Sequence, residues 1–453
     1  MQPETSENTL KKESMKNLFI ETYGCQMNVA DSEVVASILS DQYQITEVEA
    51  EADLILINTC SVRDNAEQRI HKRLRELGSL KKRRPGMLIG LLGCMAERIK
   101  ETLLQEEPAL DFISGPDAYR SLPELIEKAA AGEESYNVIL SKTETYDDIM
   151  PVRYATNGVS AFISIMRGCN NFCSYCVVPY TRGRERSRHP QSILAEARQI
   201  LDEGFKEVTL LGQNVNSYRH EENGTVTTFA GLVELVARLS PQLRVRFATS
   251  HPKDISDELI QVIARYPNVC KYIHLPVQAG STSMLQRMKR VYTREQYLER
   301  IATIKRTIPD CAIATDIIAG FCGETEEEHQ ATLSLMKEVG YSYAFMFKYS
   351  VREGTYAATH YPDDISEEVK IRRLEEIIAL QQELSLQHNR KDIGKEFEVL
   401  VEGTSKRSKE QLFGRNSQNK VIVFPKKNFH KGDYVHVRVL SCTAATLIGE
   451  AID

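Results

Sequence analysis

From Asn17 to Gln387 short apolar runs alternate with stretches of helical period, and that alternation commits the chain to parallel sheets flanked by helices. The first three runs, Asn17–Thr22, Ala52–Asn58 and Met87–Leu92, read as buried strands, with helical stretches at Asp31–Leu39 and Arg63–Leu80 between them. They predict an α/β domain built on an open parallel sheet over residues 17–150. Six further runs follow: Ala161–Met166, Glu207–Leu211, Arg244–Thr249, Tyr272–Leu275, Ala312–Ile318 and Ala344–Tyr349. Most lead into a polar or glycine-bearing loop and then a helix. This predicts a partial (β/α)6 barrel over residues 151–387, with its active face at the carboxyl ends of the strands. Beyond Gly394 the helical period is lost, and the runs EFEVLVEG, KVIVFP, YVHVRVL and TLIGEAI are divided by Gly, Lys and Asn turns. They predict a small all-β, OB-like module over residues 388–453, joined to the barrel by a charged amphipathic helix, Ser366–Asn389. Residues 1–16 lack the apolar core of a secretory signal and read as a disordered polar leader.

No run of about 18 apolar residues suggests a membrane span. The net charge of −6 argues against a surface coated in nucleic acid, but the charge is uneven. From Arg390 onward twelve Lys/Arg face eight Asp/Glu, a net +4 that leaves the remainder at −10. A basic end on an acidic body hints at a polyanionic partner. Ten cysteines in a chain without an export signal point away from disulfides, because the cytosol keeps thiols reduced, and toward metal ligation in the cytoplasm.

Six of those cysteines are placed for it. Cys25 (TYGCQMN), Cys60 (NTCSVRD) and Cys94 (LLGCMAE) each follow one of the first three strands, so they should meet at one sheet edge as a three-ligand iron–sulfur site. Small buried cysteines packing at strand ends are the alternative. After the first barrel strand comes RGCNNFCSYCVVPYTRGRERSR, where Cys169, Cys173 and Cys176 have the spacing C-x3-C-x2-C. Thiolates so spaced can wrap three irons of a [4Fe-4S] cube and leave the fourth iron open for an external amino acid. A zinc knuckle would want a fourth ligand, and His189, the nearest candidate, follows a cluster of arginines and looks like surface.

The three-cysteine loop after a first barrel strand, with Tyr175 just before the last cysteine, resembles the radical S-adenosylmethionine (SAM) superfamily. The order of three-cysteine domain, barrel and β module is similar to the radical SAM methylthiotransferase family, whose last module is called TRAM. Within it, TYGCQMN, NTCSVRDNAE and GCNNFCSYCVVPYTRGRERSR resemble the tRNA-modifying MiaB type, over essentially the whole chain after the leader. The resemblance implies two [4Fe-4S] clusters, SAM and a reducing electron donor. It implies an anticodon stem–loop of tRNA as partner, with methylthiolation at carbon 2 of isopentenyladenosine beside the anticodon. The barrel cluster would cleave SAM to a radical that takes hydrogen from that carbon. The amino-terminal cluster would hold the inserted sulfur, and a separate SAM would supply the methyl group.

Polar residues on the expected active face are candidates for SAM contacts: Gln213 and Asn214, Ser250 with His251, His274 and Gln278, and Asp316. Many superfamily members carry acidic residues where this chain has GQN, so Gln213 is a candidate by position. Arg182, Arg184, Arg186 and Arg188 read either as a solvated face or as contacts to tRNA phosphates. Cys270, Cys311, Cys322 and Cys442 lack metal-type grouping and read as non-ligands. A monomer without membrane attachment is expected. The competing functions are methylthiolation of a ribosomal protein and a non-catalytic, RNA-binding iron–sulfur sensor.

Overall fold

The computed structural model describes residues 15–61, 64–99, 102–154 and 156–452. The expected leader lies outside the described residues except for its last two, and Lys16 already opens the first strand. The chain folds as two compact units that divide between Ile139 and Leu140, ahead of the expected boundary at 150. The reason is that the intervening residues bind the second unit. The Ser141 carbonyl accepts from Arg186, Arg153 Nη1 donates to Phe162 O at 3.0 Å, and the Tyr146 ring lies 4.9 Å from the Arg167 guanidinium carbon.

The first unit is a parallel sheet of β1 (Lys16–Thr22), β2 (Tyr43–Ile45), β3 (Leu54–Thr59), β4 (Leu88–Gly93), β5 (Phe112–Ser114) and β6 (Ser135–Asn137), in the order β2-β1-β3-β4-β5-β6. β3 is buried at every residue, as a central strand covered on both faces must be. On one face Ile55, Ile57, Ile89 and Leu91 pack against Ile70, Leu74 and Leu77 of the helix Asp64–Lys81.

The second unit begins with β7 (Ser160–Ser164) and β8 (Met166–Arg167), the latter paired with β9 (Arg186–Ser187). β10 (Glu207–Leu211) precedes a hairpin of β11 (Arg219–Glu222) and β12 (Thr225–Thr228). Then come β13 (Arg244–Phe247), β14 (Tyr272–His274), β15 (Ala312–Ala319) and β16 (Tyr343–Lys348). β7, β10, β13, β14, β15 and β16 form two parallel sheets, β7-β10-β13 and β14-β15-β16. A single parallel bridge, Val245 to Val269, joins them, with Cys270 N donating to Val245 O at 2.9 Å. The result is the expected six-stranded partial barrel. Ala161, Ile163, Val208, Leu210, Val245, Ile273 and Ile317 belong to the core shared with the helices. The pleat turns the alternate set, including Glu207, Arg246, His274, Asp316 and Phe345, toward the lumen. The helix Glu367–Arg390 is more than a connector: Arg373 pairs with buried Glu324 at 3.0 Å, and Gln381 Nε2 donates to Tyr341 O at 3.1 Å.

β17 (Glu396–Thr404), β18 (Gln411–Arg415), β19 (Val421–Pro425), β20 (Tyr434–Cys442) and β21 (Leu447–Ala451) close into a barrel around Val399, Val401, Ile422, Phe424, Val435 and Val437. Its β18–β19 turn seats on the amino-terminal mouth of the larger barrel. Arg244 Nη1 donates to Arg415 O at 2.7 Å, Arg246 Nη2 to Asn416 O at 2.7 Å, and Lys271 N to Ser417 Oγ at 2.8 Å. Tyr434 donates to the carbonyls of Lys206 and Gln242, which precede β10 and β13. The carboxyl ends of the strands are left for the active face.

Three residues of the arginine run depart from the expected solvated face. Arg182, Arg186 and Arg188 are buried, and Arg184 alone is exposed, lying 5.5 Å from the Phe172 ring. Arg188 donates to Glu196 Oε2 at 2.7 Å, Ser164 O at 2.8 Å and Ser192 Oγ at 2.6 Å, while Arg153 holds the other oxygen of Glu196. Removing Arg188 leaves one oxygen of the buried carboxylate to Arg153 and the other without its donor, so Arg188→Ala should cost about 1–3 kcal/mol. Denaturant unfolding checks this; a loss below about 1 kcal/mol would return Arg188 to the solvated surface.

Candidate functional site

Strands β1, β3 and β4 are neighbours, so the turns that leave them lie side by side at one edge of the first sheet. Cys25 precedes the helix Gln26–Ile38, Cys60 follows β3 directly, and Cys94 opens the helix Cys94–Ile99. Cys25, Cys60 and Cys94 thus leave neighbouring strands of one parallel sheet at their carboxyl ends. Buried amides stitch these turns. Asn28 Nδ2 donates to Asn58 Oδ1 at 2.9 Å and to Thr59 O at 3.0 Å, and Asn58 Nδ2 returns a bond to Asn28 O at 2.9 Å. The Cys25 thiol donates to Asn28 Oδ1 at 3.2 Å. The turns are too tight for side chains: a Cβ on Gly24 would lie 2.6 Å from Cys60 Cβ, and one on Gly93 2.5 Å from Thr59 O. Cys25 also caps the amino-terminal end of a 13-residue helix.

In the second unit the loop after β8 carries Cys169, Cys173 and Cys176. Gly168 makes it possible, since its φ is +78° and a Cβ there would lie 2.1 Å from Arg184 O. The loop is pinned on both sides: Cys169 N donates to Gly183 O at 3.1 Å, and Ser174 N and Oγ donate to the carbonyls of Met288 and Arg287 at 3.0 and 2.9 Å. Burial pushes the Cys169 thiol up to about 11, with Glu185 and Cys173 adding to the effect, and raises Cys176 further, with Cys173 as its next cause. Three thiolates confined together repel one another and need a cationic group between them, which bound irons would supply. The residues fit a cluster. Arg290, which sequence reasoning missed, is buried beside them and places Nη1 3.3 Å from Cys173 Sγ. Its other nitrogens donate to Tyr292 Oη at 2.9 Å and Pro276 O at 2.8 Å. The segment KRVY offers no spacing that would have announced it.

The candidate SAM contacts line the carboxyl ends of β10, β13, β14 and β15. Gln213 Oε1, Asn214 Oδ1 and Ser250 Oγ are all buried without a hydrogen-bond partner. Buried polar groups are ordinarily satisfied, so each of these atoms is open to a polar partner. Val215 N donates to Thr249 O at 3.1 Å and Ser250 N to His274 O at 3.2 Å, which ties the loops together. Thr249 (φ +67°) and Gln278 (φ +75°) hold left-handed backbone here, a strain typical of binding sites. Gln278 acts through its backbone, donating to Asp316 O at 2.9 Å and accepting from Ile318 N at 3.0 Å. His274 and Asp316 lie within their strands and pair at 2.7 Å, so they reach the lumen and stand apart from the loop atoms. His251 is held down at about 2 by burial, then by Arg290 and Lys253, and stays neutral. Cys270 is buried, its thiol pushed up to about 11 by burial, and stands apart from both triads.

Residues 17–115 match the uncharacterized protein family UPF0004, 163–336 the radical SAM superfamily and 390–452 the TRAM domain. A tRNA-2-methylthio-N(6)-dimethylallyladenosine synthase of Phocaeicola vulgatus is 60% identical over 439 residues, covering 96% of this chain and 96% of that protein. The chain belongs to this synthase family. A family member from Porphyromonas gingivalis is 57% identical over 442 residues, covering 97% of this chain and 95% of its own. Among solved structures, the radical SAM methyltransferase TsrM of Kitasatospora setae, with cobalamin and a [4Fe-4S] cluster bound, has a TM-score of 0.59 at 13% identity. It covers 76% of this chain and 77% of that chain, a likeness of fold alone. No helix among the described residues is long and apolar enough to cross a membrane.

Proposed function

We infer that this member of the synthase family inserts sulfur and a methyl group at carbon 2 of dimethylallyladenosine beside the anticodon of tRNA. The observation that carries the reading is the thiol loop Cys169–Cys176 at the carboxyl ends of a six-stranded barrel, in a chain this close to named synthases. Bound by these three thiolates, a [4Fe-4S] cluster with one open iron would chelate SAM and supply the electron that cleaves it to a carbon radical. Cys25, Cys60 and Cys94 would hold the second cluster, from which sulfur is delivered. The chain's own part is positioning. Gln213, Asn214 and Ser250 offer their unpartnered oxygens to the hydroxyls and amino group of SAM. Arg290 holds a positive charge against the cluster thiolates, and the His274–Asp316 pair sets a fixed polar wall in the lumen. An external one-electron reductant, a cytoplasmic location and a monomeric state complete the reading.

Mass spectrometry of tRNA nucleosides from cells with and without the gene tests it. The expected difference is loss of the methylthiolated nucleoside, with its unmethylthiolated precursor accumulating; a methylthio group missing from a ribosomal protein instead would overturn the reading.

The basic turns of the β module are the proposed grip on the tRNA backbone. Lys406, Arg407 and Lys409 between β17 and β18, and Lys426, Lys427 and Lys431 between β19 and β20, are all exposed. Neutralising Lys406, Arg407 and Lys409 should lower the salt dependence of tRNA affinity by about 0.7–0.9 in the log–log slope for each phosphate released from the grip. Parallel lines of equal height across a salt series would leave the module a purely structural cap.

A further inference from the structure

A row of aromatic side chains stands bare on β16. Tyr343, Phe345 and Phe347 alternate along the strand and are 52%, 39% and 40% exposed, while Ala344 between them is buried. The register sets Phe345 beside Asp316 and Phe347 beside Ile318. The Phe345 ring meets the His274 ring edge-on with centroids 5.5 Å apart, and Tyr343 packs on Phe345 at 5.0 Å. These rings therefore face the lumen, on the same side as the His274–Asp316 pair. β16 pairs only with β15 in its sheet, so the row lies along the open side of the partial barrel.

The rest of the inward set is mixed, with Glu207, Thr209, Arg246, His274 and Asp316 alongside Phe162, Leu211, Ala314 and Ile318. Bare aromatic rings in such a setting mark the place where something apolar is received. We propose that Phe345 and Phe347 form the apolar wall that takes the dimethylallyl group of the target adenosine, and so separate the prenylated base from plain adenosine. The proposal rests on the function inferred above and names the feature of the substrate these residues read. A branched five-carbon chain carries no polar atom, so burial is the only means of recognising it. The polar residues of the lumen gain nothing by meeting it. Aromatic faces also accept a splayed-out base, which lets one wall hold the ring system and its substituent together.

The test uses the full-length, anaerobically reconstituted protein and two anticodon stem–loop RNAs that differ only in the N6-dimethylallyl group of one adenosine. The readout is the ratio of the two Kd values for wild type, for the double variant Phe345→Ala/Phe347→Ala, and for Phe345→Leu/Phe347→Leu. Both RNAs report on the same preparation, so partial misfolding cancels in the ratio. Wild type should prefer the prenylated RNA by about tenfold or more, and the Ala variant should fall to within about twofold of no preference. The Leu variant, apolar but not aromatic, should keep most of the preference. An unchanged ratio in the Ala variant overturns the wall. Equal loss in the Leu and Ala variants overturns burial as the means of recognition and points to ring stacking. Failure of wild type to methylthiolate either RNA would instead overturn the functional reading itself.

Discussion

Replacing Cys169, Cys173 and Cys176 together with Ala should abolish 5′-deoxyadenosine formation from SAM and remove about four irons per chain. The loop these thiols occupy has one evident purpose. Gly168 holds a left-handed backbone where the Arg184 carbonyl leaves no room for a Cβ, and Ser174 ties the loop to the segment that ends in Arg290. Burial and mutual repulsion raise the Cys169 and Cys176 thiols, so their thiolates form readily only when a cationic group such as bound iron joins them. Iron analysis and chromatographic detection of the nucleoside check the variant. Deoxyadenosine at the wild-type rate would place the radical chemistry elsewhere.

The second large effect separates the two thiol sets. The triple Ala variant of Cys25, Cys60 and Cys94 should make no methylthiolated tRNA, hold about four fewer irons, and still cleave SAM under reducing conditions. These thiols sit in a unit that folds on its own sheet, on turns locked by Asn28 and Asn58, whose side chains remain in the variant. Iron content equal to wild type would return the three residues to core packing.

The strands that carry both thiol sets were legible because their apolar runs are strong, and parallel topology turns distant sequence positions into neighbours. The partial barrel and the β module were legible for the same reason. Three features were not. β2, β5 and β6 are three residues each, too short for any period to register. The hairpin β11–β12 is written in RHEE and TVTT, exposed residues that carry no core signal. The arginines at 182, 186 and 188 look like surface because charge is usually solvated. The acceptors of Arg186 and Arg188, Ser141 O, Ser164 O and Glu196, are set by tertiary packing and make burial tolerable. Asn28 and Asn58 stand within the motifs that flagged the cysteines, yet their partnership depends on β1 and β3 being adjacent, which only the sheet order reveals. Arg290 is the clearest omission, because a charge placed by tertiary packing leaves no local trace.

The seating of the β module on the amino-terminal mouth bears on how the second unit comes apart. The six-stranded barrel is left open at β7 and β16, and it borrows a floor from the residues that follow it in the chain. Arg244 and Arg246 find acceptors on the carbonyls of Arg415 and Asn416, and a chain cut at Arg390 would strand those guanidinium groups at a buried opening. The border between the superfamily barrel and the TRAM segment is thus a border of ancestry and not of cooperativity. Heating should melt both in a single calorimetric transition, with no temperature at which one survives without the other.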